Sequence, residues 1–327
     1  MTLHHRIEQL WWQKKEPPLW LQLAEPTYRY LNRKNLEKRA ARCTPPPLPM
    51  ISIGNITVGG SGKTPFTVWL AQSLKQQGWQ PVILCRGDGG NSKLPLQIHT
   101  NSNPKEAGDE ALLLHQQSDC PVIAARDRVT AANMAKELGN ILLLDDGFQY
   151  RQLQRACDIV LVPAAGTGNG HQLPAGPLRE PLQALHRADL IVRTGEGSAK
   201  PLGTTTHEWH WTTQPTSPVD ITTGNTRLPT HALLVSAIAR PERLIDSLNT
   251  LNIQTEQHRF FPDHHNFTEQ EVHALSSSAL PVIVTAKDAV KLMDIWPGHI
   301  PLWVLGQQPE AETGLFEAIL SFLPDMD

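Results

Sequence analysis

The glycine-rich stretch Gly54-Asn-Ile-Thr-Val-Gly-Gly-Ser-Gly-Lys-Thr64 follows an apolar run and precedes a helical pattern. A phosphate binds where several backbone N–H groups converge at the positive end of a helix. Gly59, Gly60 and Gly62 allow the backbone this close approach. Thr57 stands where the usual G-x-x-x-x-G-K-[ST] pattern has glycine, so a chance glycine turn is the alternative. The strand–loop–helix context favours a P-loop.

The P-loop prediction gives each side chain of the loop an expected role. Lys63 is expected to reach the β- and γ-phosphates of a nucleotide, and the Thr64 hydroxyl to bind Mg²⁺. The expected nucleotide-binding residues are Thr57, Val58, Gly59, Gly60, Ser61, Gly62, Lys63 and Thr64.

Two acids, Asp145 and Asp146, come directly after the apolar run that begins at Ile141. Ligands of open α/β sheets bind at the carboxyl ends of the strands. An acid of the Walker-B type in that place holds Mg²⁺, directly or through water. The alternative is a simple Asp-Asp-Gly turn. With a P-loop in the same chain, the metal site is the favoured interpretation.

Apolar runs alternate with helical patterns from residue 51 onward, which predicts a P-loop NTPase-like, doubly wound parallel sheet. Residues 195–230 are rich in Thr, Pro and Gly, and a second, smaller alternation begins at Ala232. We therefore expect an N-terminal helical segment at 1–49, a P-loop domain at 50–205, a β-type linker at 206–230 and a smaller α/β domain at 231–327.

The N-terminal segment differs from the rest of the chain in charge. Residues 1–42 hold nine Lys/Arg and four Glu, whereas the remainder holds 20 basic and 28 acidic residues. Pro17, Pro18 and Pro26 are expected to break the segment into short helices. Aromatic and leucine side chains beside the basic ones indicate an amphipathic anchor on a membrane surface. The alternative is a helix that packs on the protein's own core.

The composition of the chain restricts the kind of protein and the compartment in which it works. No apolar run reaches the ~18 residues of a membrane span, and no secretory signal is visible. The four cysteines show no C-x-x-C spacing, which indicates free thiols in a reducing compartment. We expect no nucleic-acid partner and a monomeric chain.

Three further segments contain candidate site residues, each with an alternative. Asp109 either caps a helix or acts as the base for a hydroxyl. His264, in Phe261-Pro-Asp-His-His-Asn-Phe267, is an acid/base or phosphate-contact candidate, or one of a surface histidine pair. Arg179 suits a phosphoryl oxygen, although Arg179 and Glu180 would also form an ordinary surface ion pair.

Taken together, these segments resemble the tetraacyldisaccharide 4'-kinase family, the lipid A 4'-kinases. The resemblance rests on Gly54–Pro65, Cys85–Gly90, Gly108–Glu110, Asp127-Arg128, Asp145–Gln149, Leu173–Pro181, Phe261–Phe267 and Thr285–Lys291, in this order along nearly the whole chain. The family also has Thr at position 57. Asp88 stands where the family usually has an aromatic residue, and Ala286 where it often has Glu.

The resemblance implies a kinase that moves the γ-phosphoryl of ATP to the 4'-hydroxyl of a lipid-linked glucosamine disaccharide 1-phosphate. It also implies that the kinase acts at the cytoplasmic face of the Gram-negative inner membrane. By matching position, Asp109 and His264 would activate the sugar hydroxyl, and Arg179 would contact phosphate. Mg²⁺ would be surrounded by Thr64, Asp145, Asp146 and Glu180.

Two other functions compete with this one. A P-loop GTPase-type switch or metallochaperone would need a guanine-reading N-K-x-D, but Lys287 and Asp288 are adjacent here. A soluble small-molecule kinase would leave the N-terminal segment with a purely structural role.

Overall fold

The structure is a computed structural model that describes residues 10–12, 16–59, 61–197, 201–238, 241–262 and 265–325. The strands are β1 (Met50–Asn55), β2 (Pro81–Cys85), β3 (Leu96–Ile98), β4 (Val122–Ala124), β5 (Ile141–Asp145), β6 (Cys157–Pro163), β7 (Leu190–Thr194), β8 (Glu208–Asp220), β9 (His231–Ser236), β10 (Gln254–Phe260), β11 (Val282–Thr285) and β12 (Leu302–Ala311). The helices are α1 (Leu19–Ala40), α2 (Lys63–Gln76), α3 (Pro104–Ala107), α4 (Asp109–Ser118), α5 (Arg128–Ala135), α6 (Glu242–Thr250), α7 (Glu269–Ser276), α8 (Ala286–Leu292) and α9 (Leu315–Leu320), with a 3-10 helix at Leu182–Arg187.

All the strands belong to one 12-stranded sheet in the order β10-β9-β11-β12-β8-β7-β6-β1-β5-β2-β4-β3. Neighbouring strands are parallel except for the pairs β12–β8 and β3–β4. Strands β1, β2, β5, β6 and β7 are buried along their whole length. Such continuous burial is expected of a parallel sheet that is covered on both faces. The predicted α/β class is confirmed.

The P-loop half of the sheet, β1 to β7, brings the two predicted phosphate-binding segments together. Strand β1 pairs with β5 so that Ile53 lies opposite Asp145. Helix α2 begins at Lys63, directly after the loop that follows β1. The carboxyl ends of β1 and β5 therefore lie side by side at one edge of the sheet, as the sequence predicted.

Strand β8 joins the two halves of the molecule. It lies in the segment expected as a β-type linker, where it pairs in parallel with β7 and in antiparallel register with β12. The second half, β9 to β12, thus continues the sheet of the first half. The two α/β units share one sheet, and the domain boundaries at 205 and 231 stay a prediction.

Helix α1 is one continuous helix of 22 residues, so the prediction that Pro26 divides it was wrong. A proline inside a helix removes one hydrogen bond and costs ~3 kcal/mol. Contacts with the body of the protein offset this cost. Leu21 and Leu36 are buried, and Glu25 accepts hydrogen bonds from the Gln172 amide and His171 Nδ1 at 3.0 and 2.8 Å.

In the part of the chain that the structure describes, no helix combines the length and the apolar character needed to cross a bilayer.

Candidate active site

The P-loop has the backbone shape that its glycines allow. Gly59 and Gly62 have φ angles of 92° and 77°, a region that side-chain-bearing residues rarely occupy. Asn55 Nδ2 donates to Ser61 Oγ at 2.8 Å, and Thr194 Oγ1 donates to the Ser61 carbonyl at 2.9 Å. These two bonds fix the turn before α2. Gly60, which we expected in the nucleotide site, lies outside the described residues.

Thr57 and Val58 occupy the outer side of the loop, against the segment Leu173–Pro181. The Val58 amide donates to the Pro177 carbonyl at 2.8 Å, and Thr57 bridges to Leu178. The Arg179 amide donates in turn to the Ile56 carbonyl at 2.7 Å. This pairing brings Arg179 beside the P-loop. Thr57 does not have a positive φ, so its backbone conformation does not require glycine.

A cavity of about 810 Å³ opens beside the P-loop. Its P-loop end is formed by Lys63, Thr64, Asp145, Asp146 and Arg179, and its α4–α8 end by Glu110 and Lys287. Gly59, Ser61 and Gly62 also line it, together with apolar residues of the second half such as Ile238, Leu244 and Val304. Both halves of the sheet therefore contribute walls to one cavity.

The two acids after β5 have opposite electrostatic surroundings. Burial raises the pKa of Asp145 to about 7, Glu110 and Asp146 add to the rise, and Lys63 opposes it. Its Oδ1 accepts a hydrogen bond from Thr67 Oγ1 at 3.0 Å. Burial by itself would also raise the pKa of Asp146, but Lys63 and Arg179 outweigh it and hold that pKa far below its usual range.

Two cations converge on Asp146. Arg179 donates through one nitrogen to Asp146 Oδ1 and Oδ2 at 2.9 and 3.0 Å, and Lys63 Nζ lies 3.5 Å from Oδ1. Asp146 itself has a positive φ of 50°, which turns the chain sharply after the strand. The P-loop end thus holds two positive side chains next to the N-terminus of helix α2, which carries a partial positive charge of its own.

Glu180, expected beside the metal, does not line the cavity. Its side chain is 3% exposed and accepts from Arg151 and Arg187 at 2.7 and 3.0 Å. Gln149 Nε2 donates to it at 3.2 Å. In this structure the Glu180 carboxylate is bound by two guanidinium groups, and its position beside the metal stays a prediction.

The expected base Asp109 is the first residue of α4 and is buried at 8% exposure. Lys291 of α8 lies 3.2 Å away, measured from Nζ to Asp109 Oδ2. A second, longer pair joins the same two helices, because Oε1 of Glu110 lies 3.9 Å from Nζ of Lys287, one helical turn before Lys291. Asp109 and Lys291 do not line the cavity themselves, but they lie in the same two helices as Glu110 and Lys287, and we include them in the α4–α8 end. His264, expected to partner Asp109, lies outside the described residues.

The side chains at the P-loop end suit Mg²⁺ in type. Among the residues that the structure describes, no group of three or more His, Cys, Asp or Glu could hold a metal by itself. Mg²⁺ is usually bound by one or two carboxylates together with substrate phosphates and water. Thr64, Asp145 and Asp146 supply hard oxygen donors of this kind, and the raised pKa of buried Asp145 indicates a carboxylate that lacks a sufficient positive partner.

Several residues with clear roles were not singled out from the sequence. Thr67 binds Asp145, Asn55 and Thr194 shape the P-loop, and Lys291 pairs with Asp109. Thr67 was accessible to prediction, since it lies one helical turn after Lys63. Lys291 was not, because its partner lies in the other half of the molecule.

Comparison with known proteins identifies the family. Residues 22–324 match the profile described as tetraacyldisaccharide-1-P 4'-kinase. The chain belongs to this family. A tetraacyldisaccharide 4'-kinase of Dechloromonas aromatica is 34% identical over 321 residues, which cover 95% of this chain and 94% of that protein. A namesake from Nitrosococcus oceani is 39% identical over 254 residues, with coverages of 75% and 72%.

A solved structure agrees with this assignment. The structure described as the apo form of LpxK from Aquifex aeolicus in complex with ATP has a TM-score of 0.75 and 27% sequence identity, and it covers 91% of this chain and 98% of that one. Membership of the tetraacyldisaccharide 4'-kinase family makes the chain a P-loop kinase, as the sequence predicted. A regulatory GTPase-type switch is not supported.

Proposed function

We propose that the chain transfers the γ-phosphoryl group of ATP to the 4'-hydroxyl of a tetraacyl glucosamine disaccharide 1-phosphate, the lipid A precursor, and so forms lipid IVA. The main support is the single cavity that has two cations and two carboxylates at its P-loop end and reaches the start of α4 at its other end. Phosphoryl transfer depends chiefly on positioning and charge neutralisation, which such a cavity supplies.

At the P-loop end, the chain's own residues bind and orient the triphosphate. The loop amides and the N-terminus of α2 face the phosphates, and Lys63 and Arg179 neutralise their charge. Thr64, Asp145 and Asp146 would hold Mg²⁺. When bound, this ion neutralises charge on the phosphate oxygens.

At the α4–α8 end, Asp109 accepts the proton of the sugar hydroxyl as its oxygen bonds to the γ-phosphorus. The bond from that phosphorus to the β-phosphate oxygen breaks, and ADP leaves. His264 belongs to the same proposal as the partner of Asp109. Asp109 is buried and precedes Glu110, which lines the cavity, and this burial would keep bulk water from competing as the acceptor.

Helix α1 supports a second part of the proposal, a peripheral position on the cytoplasmic face of the inner membrane. Its residues Leu19, Trp20, Leu23, Tyr30 and Leu31 are between 59% and 71% exposed. At 3.6 residues per turn they fall in one sector of the helix. Lys34 and Lys38 continue that sector and are exposed. An apolar stripe that ends in lysines suits an anionic lipid surface.

The transfer reaction is tested with ATP labelled at the γ-phosphate, purified lipid disaccharide 1-phosphate and the monomeric chain. We expect label in the lipid product, and none when detergent replaces the lipid. Preference for GTP over ATP, or label released only as inorganic phosphate, would contradict the proposed reaction.

The membrane position is tested by flotation with vesicles of phosphatidylglycerol or of phosphatidylcholine. We expect binding to the anionic vesicles, and at least ~10-fold weaker binding for a double variant Leu19→Ser, Leu23→Ser, since each leucine loses apolar area. Leu228→Ser, at another exposed leucine, is the matched control. Equal flotation of all three proteins would show that α1 does not contact lipid.

A further inference from the structure

Lys291 is a buried ammonium group at the junction of the two halves. Its side chain is 7% exposed, although lysine is rarely buried without a partner. Nζ lies 3.2 Å from Asp109 Oδ2, and it also donates to the His265 carbonyl at 3.2 Å. One side chain of α8 therefore contacts both α4 and the backbone of His265.

The surroundings of Asp109 make Lys291 important for its charge. Charged residues near this end of α4 include the acids Asp88, Glu106 and Glu110 and the cations Arg86, Lys105 and Lys287. Lys287 is paired with Glu110, and Asp88 with Arg86. The opposite end of α4 is remote, with Asp119 paired to Lys75 of α2. Lys291 thus lies within ion-pair distance of the Asp109 carboxylate.

The proposed chemistry needs Asp109 to be ionised and correctly oriented. A neighbouring positive charge favours the ionised form of a carboxylate, and a fixed donor restricts its rotation. A base must also lie within hydrogen-bond reach of the proton that it accepts. The ion pair with Lys291 favours the ionised form of Asp109. Because Lys291 also donates to the His265 carbonyl, its ammonium group is held in place and can orient the carboxylate.

We propose that Lys291 is a positioning residue for phosphoryl transfer. It keeps Asp109 ionised and fixes the orientation of its carboxylate, and it links His265 to α4. This inference rests on the proposed function, in which Asp109 is the base. It assigns the last residue of the segment Thr285–Lys291 a role in the reaction, acting through Asp109 and without contact to the substrates.

The decisive measurement is the pH dependence of kcat for wild type and Lys291→Met. Removal of the positive charge favours protonated Asp109, so we expect the acid limb of the profile to move to higher pH by ~1 unit. KM for ATP should remain within about twofold, because the P-loop end is unchanged. Lys291→Gln, which keeps a donor for the His265 carbonyl, should show the same displaced limb and covers the case in which Lys291→Met does not fold.

A double-mutant cycle separates a role through Asp109 from a general structural role. Lys291→Met should lower kcat at neutral pH by ~10-fold or more in the wild-type background, and by less than about twofold in the Asp109→Asn background. Lys75→Met removes a Lys–Asp ion pair that is exposed and lies at the other end of α4, and it should leave the profile unchanged.

The two proposals can fail separately. If wild type does not label the lipid, the proposed function fails. If wild type is active and the folded Lys291 variants keep its acid limb, or if Lys291→Met lowers kcat equally in both backgrounds, the assignment of Lys291 is wrong while the function stands.

Discussion

The two ends of the cavity are built in different ways. At the P-loop end, Lys63, Thr64, Asp145, Asp146 and Arg179 all come from the first half of the sheet, and four of them follow the neighbouring strands β1 and β5. At the α4–α8 end, Asp109 and Glu110 face Lys291 and Lys287 from the second half. The first end is complete within one α/β unit, whereas the second exists only when both units are in place.

The difference shows which part of the site depends on neighbouring strands of one sheet and which part depends on the packing of the two halves. Residues at the ends of adjacent strands are brought together by the sheet itself, so their geometry is local and rigid. Residues that meet across the two halves depend on how the halves are held. We expect substitutions at the P-loop end to affect nucleotide binding and those at the α4–α8 end to affect turnover.

The strongest test of the comparison is Asp109→Asn. Loss of the base should lower kcat by ~10²–10⁴-fold, while KM for ATP changes little, because general-base steps contribute factors of this size. Single-turnover transfer to the lipid, together with an equilibrium titration of ATP, measures both quantities. His264→Ala should behave in the same way if it acts with Asp109. Wild-type turnover in either variant would remove that residue from the mechanism.

Lys63→Met should produce the contrasting result at the P-loop end. Loss of one charge-stabilising donor lowers kcat by ~10²–10³-fold, and here the affinity for ATP should fall as well. The same two measurements give the answer. Unchanged ATP affinity would mean that Lys63 remains on Asp146 when nucleotide binds, and the contrast between the two ends would then be lost.

The P-loop end is also the end of the cavity that could be predicted from the sequence. Continuous apolar runs predicted β1, β5 and their neighbours, and Asp145 and Asp146 were placed at a strand end for the same reason. Strand β10 was missed, because Gln254–Phe260 is polar and mostly exposed and pairs only with β9. Hydrophobic periodicity gives little signal for such an edge strand.

The parts that could not be predicted depend on contacts between distant residues. Helix α1 continues through Pro26 because the body of the protein binds Glu25 and covers Leu21. Glu180 follows Arg179 directly, yet its carboxylate turns to Arg151 and Arg187. Adjacent residues in a loop point in different directions, and spacing alone does not tell which one faces the cavity.

Glu180→Ala tests whether this carboxylate stabilises the two arginines or belongs to the metal site. Removing a buried carboxylate leaves Arg151 and Arg187 without their partner, which should lower the free energy of unfolding by ~3–5 kcal/mol. Denaturant titration measures this loss. In the protein that remains folded, the Mg²⁺ concentration for half-maximal activity should equal that of wild type. A large shift in that concentration with normal stability would return Glu180 to the metal site.

The smallest effect concerns the opposite pKa shifts of Asp145 and Asp146 in nucleotide-free protein without Mg²⁺. Asp145 has a pKa of about 7 in the folded state and a usual value of 3.8, so between pH 4 and 7 the folded state binds more protons than the unfolded state. The stability contributed by Asp145 is therefore lost as pH rises through this window, with a slope of at most ~1.4 kcal/mol per pH unit. The lowered pKa of Asp146 has the reverse sign, and its contribution is lost only as pH falls below 4. In Asp145→Asn, the free energy of unfolding should depend less on pH between pH 4 and 7, as measured by denaturant titrations at fixed ionic strength. If the slope of the free energy against pH is the same as in wild type, another group titrates in this window.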